Sequence, residues 1–193
     1  MTSEAQAEDA ALVRRALAGD DAAFGQLMRR HTNDLFRFAR RYTGEPDSAG
    51  DVVQETFVSA WKALSRYDDS RPFGVWLRAI ALNKCRDRGR RLFLRRVVLG
   101  QADPDGFEAQ SRPDPGPDPE ASLVALERLQ RLDRAVAALP PGLKEPLILT
   151  AFEGLSHQAA AELLGLTAKA VEIRVYRARR RLAELLDLGP DSP

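Results

Sequence analysis

The sequence predicts an all-α protein of two small helical domains joined by an acidic, proline-rich linker, the C-terminal domain containing a helix-turn-helix. Three observations lead there. Apolar residues recur at three- and four-residue spacing along most of the chain, with no strand-like alternation and no internal repeat. The stretch Asp103 to Pro119 holds five prolines, several acids and almost no large apolar residues, so burial cannot offset the entropy of ordering it. Near the C-terminus two short helical patterns meet at Gly165, and the second carries a basic tail.

Taken in order, Asp9 to Ala18 reads as the first helix. Asp20 or Asp21 caps the second, to Tyr42, whose apolar stripe is Phe24, Leu27, Met28, Leu35, Phe38 and Ala39. Pro46 suits the first turn of a third helix, to Ser65, with Val53, Phe57, Ala60 and Leu64 facing inward. Pro72 opens a fourth, to about Leu94, in which Phe73, Trp76, Leu77 and Ile80 repeat at core spacing. Beyond the linker, Ala121 to Leu139 forms a helix stopped by Pro140-Pro141-Gly142, and Leu143 to Phe152 forms another.

The last two helices are signalled by their ends. Ser156 is an N-cap ahead of Ala159 to Ala161, Leu163 and Leu164, and Gly165 supplies a left-handed turn that a side chain would resist. Thr167 caps the next helix, where Val171, Val175, Ala178 and Leu182 make a core stripe and leave the opposite face for a partner. Such a unit commonly lays its second helix in the DNA major groove. The expected boundaries are a first domain over 1–97, a linker over 98–122, the helix-turn-helix domain over 123–187 and a disordered tail over 188–193.

At 193 residues the chain is long enough for two such domains, and a formal net charge of +1 conceals strong segregation. Between Arg71 and Val98 nine basic residues face Asp87 alone; between Gly100 and Ser122 six acids face Arg112; between Thr167 and Leu182 six basic residues face Glu172. Two basic regions around an acidic one suggest two separate polyanion contacts, the alternative being solvated helix faces. The single Cys85 excludes an internal disulfide and reads as a small buried hydrophobe. With only His31 and His157 beside it, no metal site is expected. The paired acids Asp20-Asp21 and Asp68-Asp69 fall at a cap and in a loop, so neither a catalytic site nor a cofactor is expected. No apolar run approaches membrane-spanning length and the N-terminus is acidic and polar, which predicts a soluble cytoplasmic protein without membrane insertion.

Two blocks make the pattern specific. The first is Asp51-Val-Val-Gln-Glu-Thr-Phe-Val-Ser-Ala-Trp61 followed by Arg71-Pro-Phe-Gly-Val-Trp-Leu-Arg-Ala-Ile-Ala-Leu-Asn-Lys-Cys-Arg-Asp-Arg-Gly-Arg-Arg91. The second is Leu139-Pro, Glu153-Gly-Leu-Ser and Val171-Glu-Ile-Arg-Val-Tyr-Arg-Ala-Arg. In this order, across an acidic linker, they resemble the extracytoplasmic-function (ECF) sigma factors, promoter-recognition subunits of bacterial RNA polymerase, over nearly the whole chain.

The resemblance implies a role for each block. The helix from Asp51 would dock on clamp helices of the core polymerase through Asp51, Gln54, Glu55 and Val58, extended by Trp61; these four share one face at i, i+3, i+4 and i+7. Gly50 stands where the family usually has an acid, so it is not assigned to that face. The loop Ser65 to Pro72, with Tyr67, Asp68 and Asp69, would hold a flipped base of the melted downstream (−10) element. Asn83, Lys84, Arg86, Arg88, Arg90 and Arg91 would supply base-edge and phosphate contacts. On the recognition helix Glu172, Ile173, Tyr176 and Arg177 would read the duplex upstream (−35) element, while Lys169, Arg174, Arg179 and Arg180 hold phosphates. Glu172 replaces a residue that is more often basic in the family, which points to a shifted sequence preference. The linker either enters the polymerase cleft or serves as a tether.

The resemblance further implies an anti-sigma factor that covers both domains, and a monomer when free of partners. The competing reading is a one-component helix-turn-helix regulator acting without polymerase, which leaves the Asp51-to-Arg91 block unexplained.

Overall fold

The computed structural model describes residues 3–98 and 119–186, with side chains described over 4–94 and 127–186. The helices are α1 (Ser3–Leu17), α2 (Asp21–Thr43), α3 (Pro46–Ala63), α4 (Phe73–Val98), α5 (Pro119–Ala138), α6 (Pro141–Leu147), α7 (His157–Leu164) and α8 (Ala168–Leu185). A 3-10 turn follows α3 at Leu64–Arg66, and a π-helical turn follows α6 at Ile148–Phe152. No strand occurs among the described residues. The chain divides into two compact units, Met1–Ala39 with Asp47–Ala102, and Arg40–Pro46 with Asp103–Pro193. Most of the expected linker and the expected tail lie outside the described residues.

In the first unit, Gly19 takes a left-handed φ of 97° and delivers the chain to Asp20, which caps α2 by accepting from the Ala23 amide at 3.1 Å. Arg15 grips the same carboxylate at 2.7 and 3.0 Å, and this hydrogen bonding holds the Asp20 carboxyl below the usual range. Leu12, Val13, Phe24, Leu27, Leu35, Phe38, Val53, Phe57, Leu64, Phe73, Leu77 and Cys85 are buried in the core. Met28 does not join its expected stripe and is 37% exposed, although buried Leu35 lies seven residues on along the same face. A polar pair is enclosed with this core: Nε2 of the half-buried His31 donates to the buried Asp9 carboxylate at 2.8 Å, and Arg30 reaches its other oxygen at 3.2 Å. The His31 ring packs on Phe73 with centroids 5.4 Å apart, tying α1, α2 and the start of α4 together.

In the second unit the ends of the last two helices follow local chemistry. Ser156 accepts from the Ala159 amide and Thr167 from the Ala170 amide, each at 3.1 Å, and between them Gly165 turns left-handed at φ 67°. Val171, Val175, Ala178 and Leu182 of α8 are buried, as their spacing requires. The buried Lys144 ammonium donates to the carbonyls of Ala137 at 2.7 Å and Tyr42 at 3.2 Å, and the Tyr42 hydroxyl donates to Glu145 at 3.0 Å.

Several boundaries differ from the sequence expectation. The alanine-rich start carries α1 back to Ser3, and α4 continues to Val98. The third helix tightens at Leu64 before it reaches Ser65, and α5 begins at Pro119, inside the expected linker. Leu143 to Phe152 is not one regular helix: after Pro146 the ladder widens, with the Glu153 amide bonding the Ile148 carbonyl at 3.0 Å and the Thr150 hydroxyl the Pro146 carbonyl at 2.8 Å. Among the described residues no helix is long and apolar enough to cross a membrane, and no cluster of three or more His, Cys, Asp or Glu could hold a metal ion.

Truncating His31 to Ala leaves one oxygen of the buried Asp9 carboxylate unpaired, with Arg30 holding only the other. Chemical denaturation should show the first unit destabilised by about 1–3 kcal/mol with the second unit unaffected. An unchanged midpoint would mean that the pair adds nothing to the packing of α1.

Candidate nucleic-acid interface

The outward face of α3 is set by what its inward face buries. With Val52, Val53, Thr56, Phe57 and Ala60 turned to the core, Asp51 and Gln54 are exposed, Glu55 is half-buried, and Val58 and Trp61 remain 55% and 43% exposed. All five residues expected to meet polymerase therefore share one surface. Trp61 is anchored on it by Phe24, whose ring centroid lies 4.8 Å away.

The loop after α3 is built around Tyr67. Its ring packs on Phe73 and Trp76 at 5.3 and 5.2 Å, and its hydroxyl donates to the Arg71 carbonyl at 2.6 Å, closing the loop on itself. Burial pushes the Tyr67 phenol up to about 12, and the nearby charges of Asp9, Asp69 and Asp68 add to the effect. Tyr67 is thus a neutral clamp. Asp68 accepts from the Ser70 amide at 3.0 Å in a turn, a hydrogen bond that lowers its pKa, and Asp69 is exposed with Arg14 3.9 Å away. Phe73 is wholly buried and Trp76 half-buried, as their helical spacing implied.

On α4 the helical repeat sorts the candidate contacts into two stripes, Asn83, Arg86 and Arg90 on one and Lys84, Arg88 and Arg91 on the next. Arg90 is paired with Asp87, whose carboxyl this hydrogen bond holds below its usual range. The second stripe meets α3. Arg88 bonds Asp51 at 3.0 Å through one terminal nitrogen and the Ser48 hydroxyl at 3.1 Å through the other, and Arg91 lies 3.6 Å from Glu55. Residues assigned from the sequence to two different partners are therefore joined. Cys85 lies buried beneath them.

On α8 the outward face carries Glu172, Ile173, Tyr176 and Arg177, with Ile173 42% and Tyr176 64% exposed. Arg179 and Arg180 are exposed further along, and Arg174 is half-buried. Lys169 and Glu172 form an ion pair at 3.0 Å across one turn of the helix, with both side chains largely in water. His157 is exposed in the first turn of α7.

Sequence reading missed Asp9, His31 and Ser48. Asp9 and His31 are 22 positions apart and Ser48 and Arg88 are 40 apart, so no local pattern announces either contact. The Lys169–Glu172 pair did have a signal in its i, i+3 spacing.

Comparison with known proteins identifies the family. Residues 27–93 match sigma-70 region 2 and residues 129–182 match sigma-70 region 4. The RNA polymerase sigma factor NccH of Alcaligenes xylosoxydans is 44% identical over 179 residues, 92% of this chain and 94% of that protein. The ECF RNA polymerase sigma-E factor of Escherichia coli is 30% identical over 186 residues, 92% and 93% of the two chains. Among solved structures, CnrH in complex with the cytosolic domain of CnrY superposes with a TM-score of 0.65 at 37% identity, covering 96% of this chain and 99% of that one. Bartonella quintana RpoE, in complex with the anti-sigma factor NepR, gives 0.68 at 26% identity over 86% and 98%. With both regions matched in order and relatives at 44% and 30% identity covering nearly the whole chain, the chain belongs to the ECF sigma factors of bacterial RNA polymerase.

Proposed function

We propose that this chain binds core RNA polymerase through α3 and directs it to promoters, holding the melted downstream element with α4 and its preceding loop and reading the duplex upstream element with α8. The observation that carries the reading is the outward face of α8. A core-facing stripe of four buried residues turns Ile173, Tyr176 and Arg177 to solvent, within reach of a major groove.

Each side chain has a definite use. Arg177 bridges the O6 and N7 acceptors of a guanine, Tyr176 packs on a thymine methyl or donates to phosphate, and Ile173 offers an apolar contact. Glu172, tied to Lys169, accepts from a cytosine amino group only if that pair loosens. Lys169, Arg174, Arg179 and Arg180 contact phosphate and set register. On α4, Asn83 meets a base edge while Lys84, Arg86, Arg88, Arg90 and Arg91 follow the strand backbone. Tyr67 holds the loop shape, and Asp68 and Asp69 present acceptors to an extruded base.

The chain performs no chemistry of its own in this account and requires neither metal nor cofactor. It works in the cytoplasm as a monomer until it meets polymerase. Domains over 1–97 and 123–187, joined by a linker over 98–122, let two modest contacts act on one promoter with a raised effective concentration. An anti-sigma factor covers the same faces in the resting state, a reading supported by the complex of the similar sigma factor RpoE with the anti-sigma factor NepR.

Transcription from a promoter library by core polymerase, with and without the purified chain, tests the proposal; selective initiation dependent on the chain is expected, and initiation unchanged by it would refute the proposal. Reversing charge in Glu55→Arg should lower affinity for core polymerase, read by fluorescence titration, while the second unit keeps its fold; unchanged affinity would remove α3 as the docking face. Arg177→Ala should weaken binding to the upstream element by about 1–3 kcal/mol. An equal loss on scrambled duplex would reassign Arg177 to phosphate.

A further inference from the structure

The two surfaces of the first unit share their charges. Asp51 and Glu55 stand one turn apart on α3, and Arg88 and Arg91 stand nearly one turn apart on α4. The acids and arginines meet in register, at 3.0 Å for Asp51–Arg88 and 3.6 Å for Glu55–Arg91. We propose that these two ion pairs exchange partners: a basic polymerase surface docking on α3 takes Asp51 and Glu55, and thereby frees Arg88 and Arg91 for the phosphates of the unpaired strand. The inference rests on the assignment of α3 to polymerase and α4 to single-stranded DNA.

The geometry suits exchange better than permanent bonding. Glu55 and Arg91 keep much of their side-chain surface in water, as does Asp51, and pairs so exposed are held weakly and screened by salt. Arg88 gives Asp51 only one terminal nitrogen, and its buried Nε has no hydrogen-bond partner, so the fork-to-fork contact of a strong arginine–carboxylate pair is not made. Ser48 holds the other terminal nitrogen at 3.1 Å, which keeps the guanidinium in place when the carboxylate leaves. While each acid sits beside its arginine, a phosphate approaching α4 meets a nearly neutral pair. Once a cation on polymerase competes for the acid, it meets a full positive charge. By linkage the effect is reciprocal, so a bound strand raises affinity for polymerase by the same factor.

The test uses the full-length chain without polymerase and a fluorescein-labelled single-stranded oligonucleotide, titrated by anisotropy over a range of salt. Asp51→Asn and Glu55→Gln should each tighten binding about two- to fivefold, the scale of an exposed ion pair. Each should also steepen the dependence of log K on log salt by about 0.7, the value for one further phosphate contact on a single strand. The decisive variants remove the partner arginine. In an Arg91→Gln background Glu55→Gln should give no gain, and likewise Asp51→Asn in Arg88→Gln; the Glu55 and Arg91 set lies on the surface and keeps the test open if Arg88→Gln does not fold. A gain that persists without the arginine, or an equal gain from Asp47→Asn on the same helix, would overturn the exchange by showing only a loss of negative charge. No gain from Glu55→Gln, with Arg91→Gln still weakening binding, would overturn the exchange and leave the strand-binding role intact. Unaltered binding in both arginine variants would refute the strand-binding assignment, and the exchange with it.

Discussion

The rotation of α3 about its own axis is the constraint on which the first unit depends. Burial of Val52, Val53, Phe57 and Ala60 fixes that rotation, and the same act turns Asp51, Gln54, Glu55 and Val58 outward together. A rotation of one residue, about 100°, would bury acids and expose the aromatic core. The acidic face is therefore as firmly placed as the core beneath it. Its position also brings Asp51 and Glu55 against α4, which is why the proposed surfaces for a protein partner and for a nucleic acid share four side chains.

The same logic operates on α8 with different chemistry. There the inner stripe orients the helix, and Gly165 and Thr167 fix where it begins. What faces outward is a mixture of apolar tips and guanidinium groups, suited to base edges and phosphates in turn. On the proposed reading, the two units separate two demands on a promoter-binding protein. The first unit carries exposed acids on α3 beside the basic α4, and the second carries a helix whose outward face would suit a groove.

Local chemistry was legible from the sequence, and distant contacts were not. Asp20, Ser156, Gly165 and Thr167 do what their types dictate, because a cap or a left-handed turn involves neighbours within three or four positions. The inward stripes of α3 and α8 were readable for the same reason. Met28 was misplaced because it keeps the spacing of the buried stripe, in register with Leu35, while standing 37% exposed. The π turn after Pro146 escaped because Leu143 to Phe152 keeps an apolar pattern whether the ladder is regular or widened. The partners of Asp9, Asp51 and Glu55 lie 21 to 37 positions away and depend on how the helices pack. Tyr67 shows the two cases in one residue: its place in the loop was evident, whereas its closure onto Arg71, Phe73 and Trp76 required the fold.

The central claim is that the chain recognises promoters as part of polymerase, with one unit on an opened strand and the other on a duplex. Permanganate reactivity and nuclease protection on one promoter fragment read both events together. Core polymerase with the chain should give a protected upstream duplex and reactive thymines downstream, and neither component alone should open the strand. An equally strong, sequence-specific footprint from the chain alone, with no opening when polymerase is added, would contradict the account and favour a regulator that works without it.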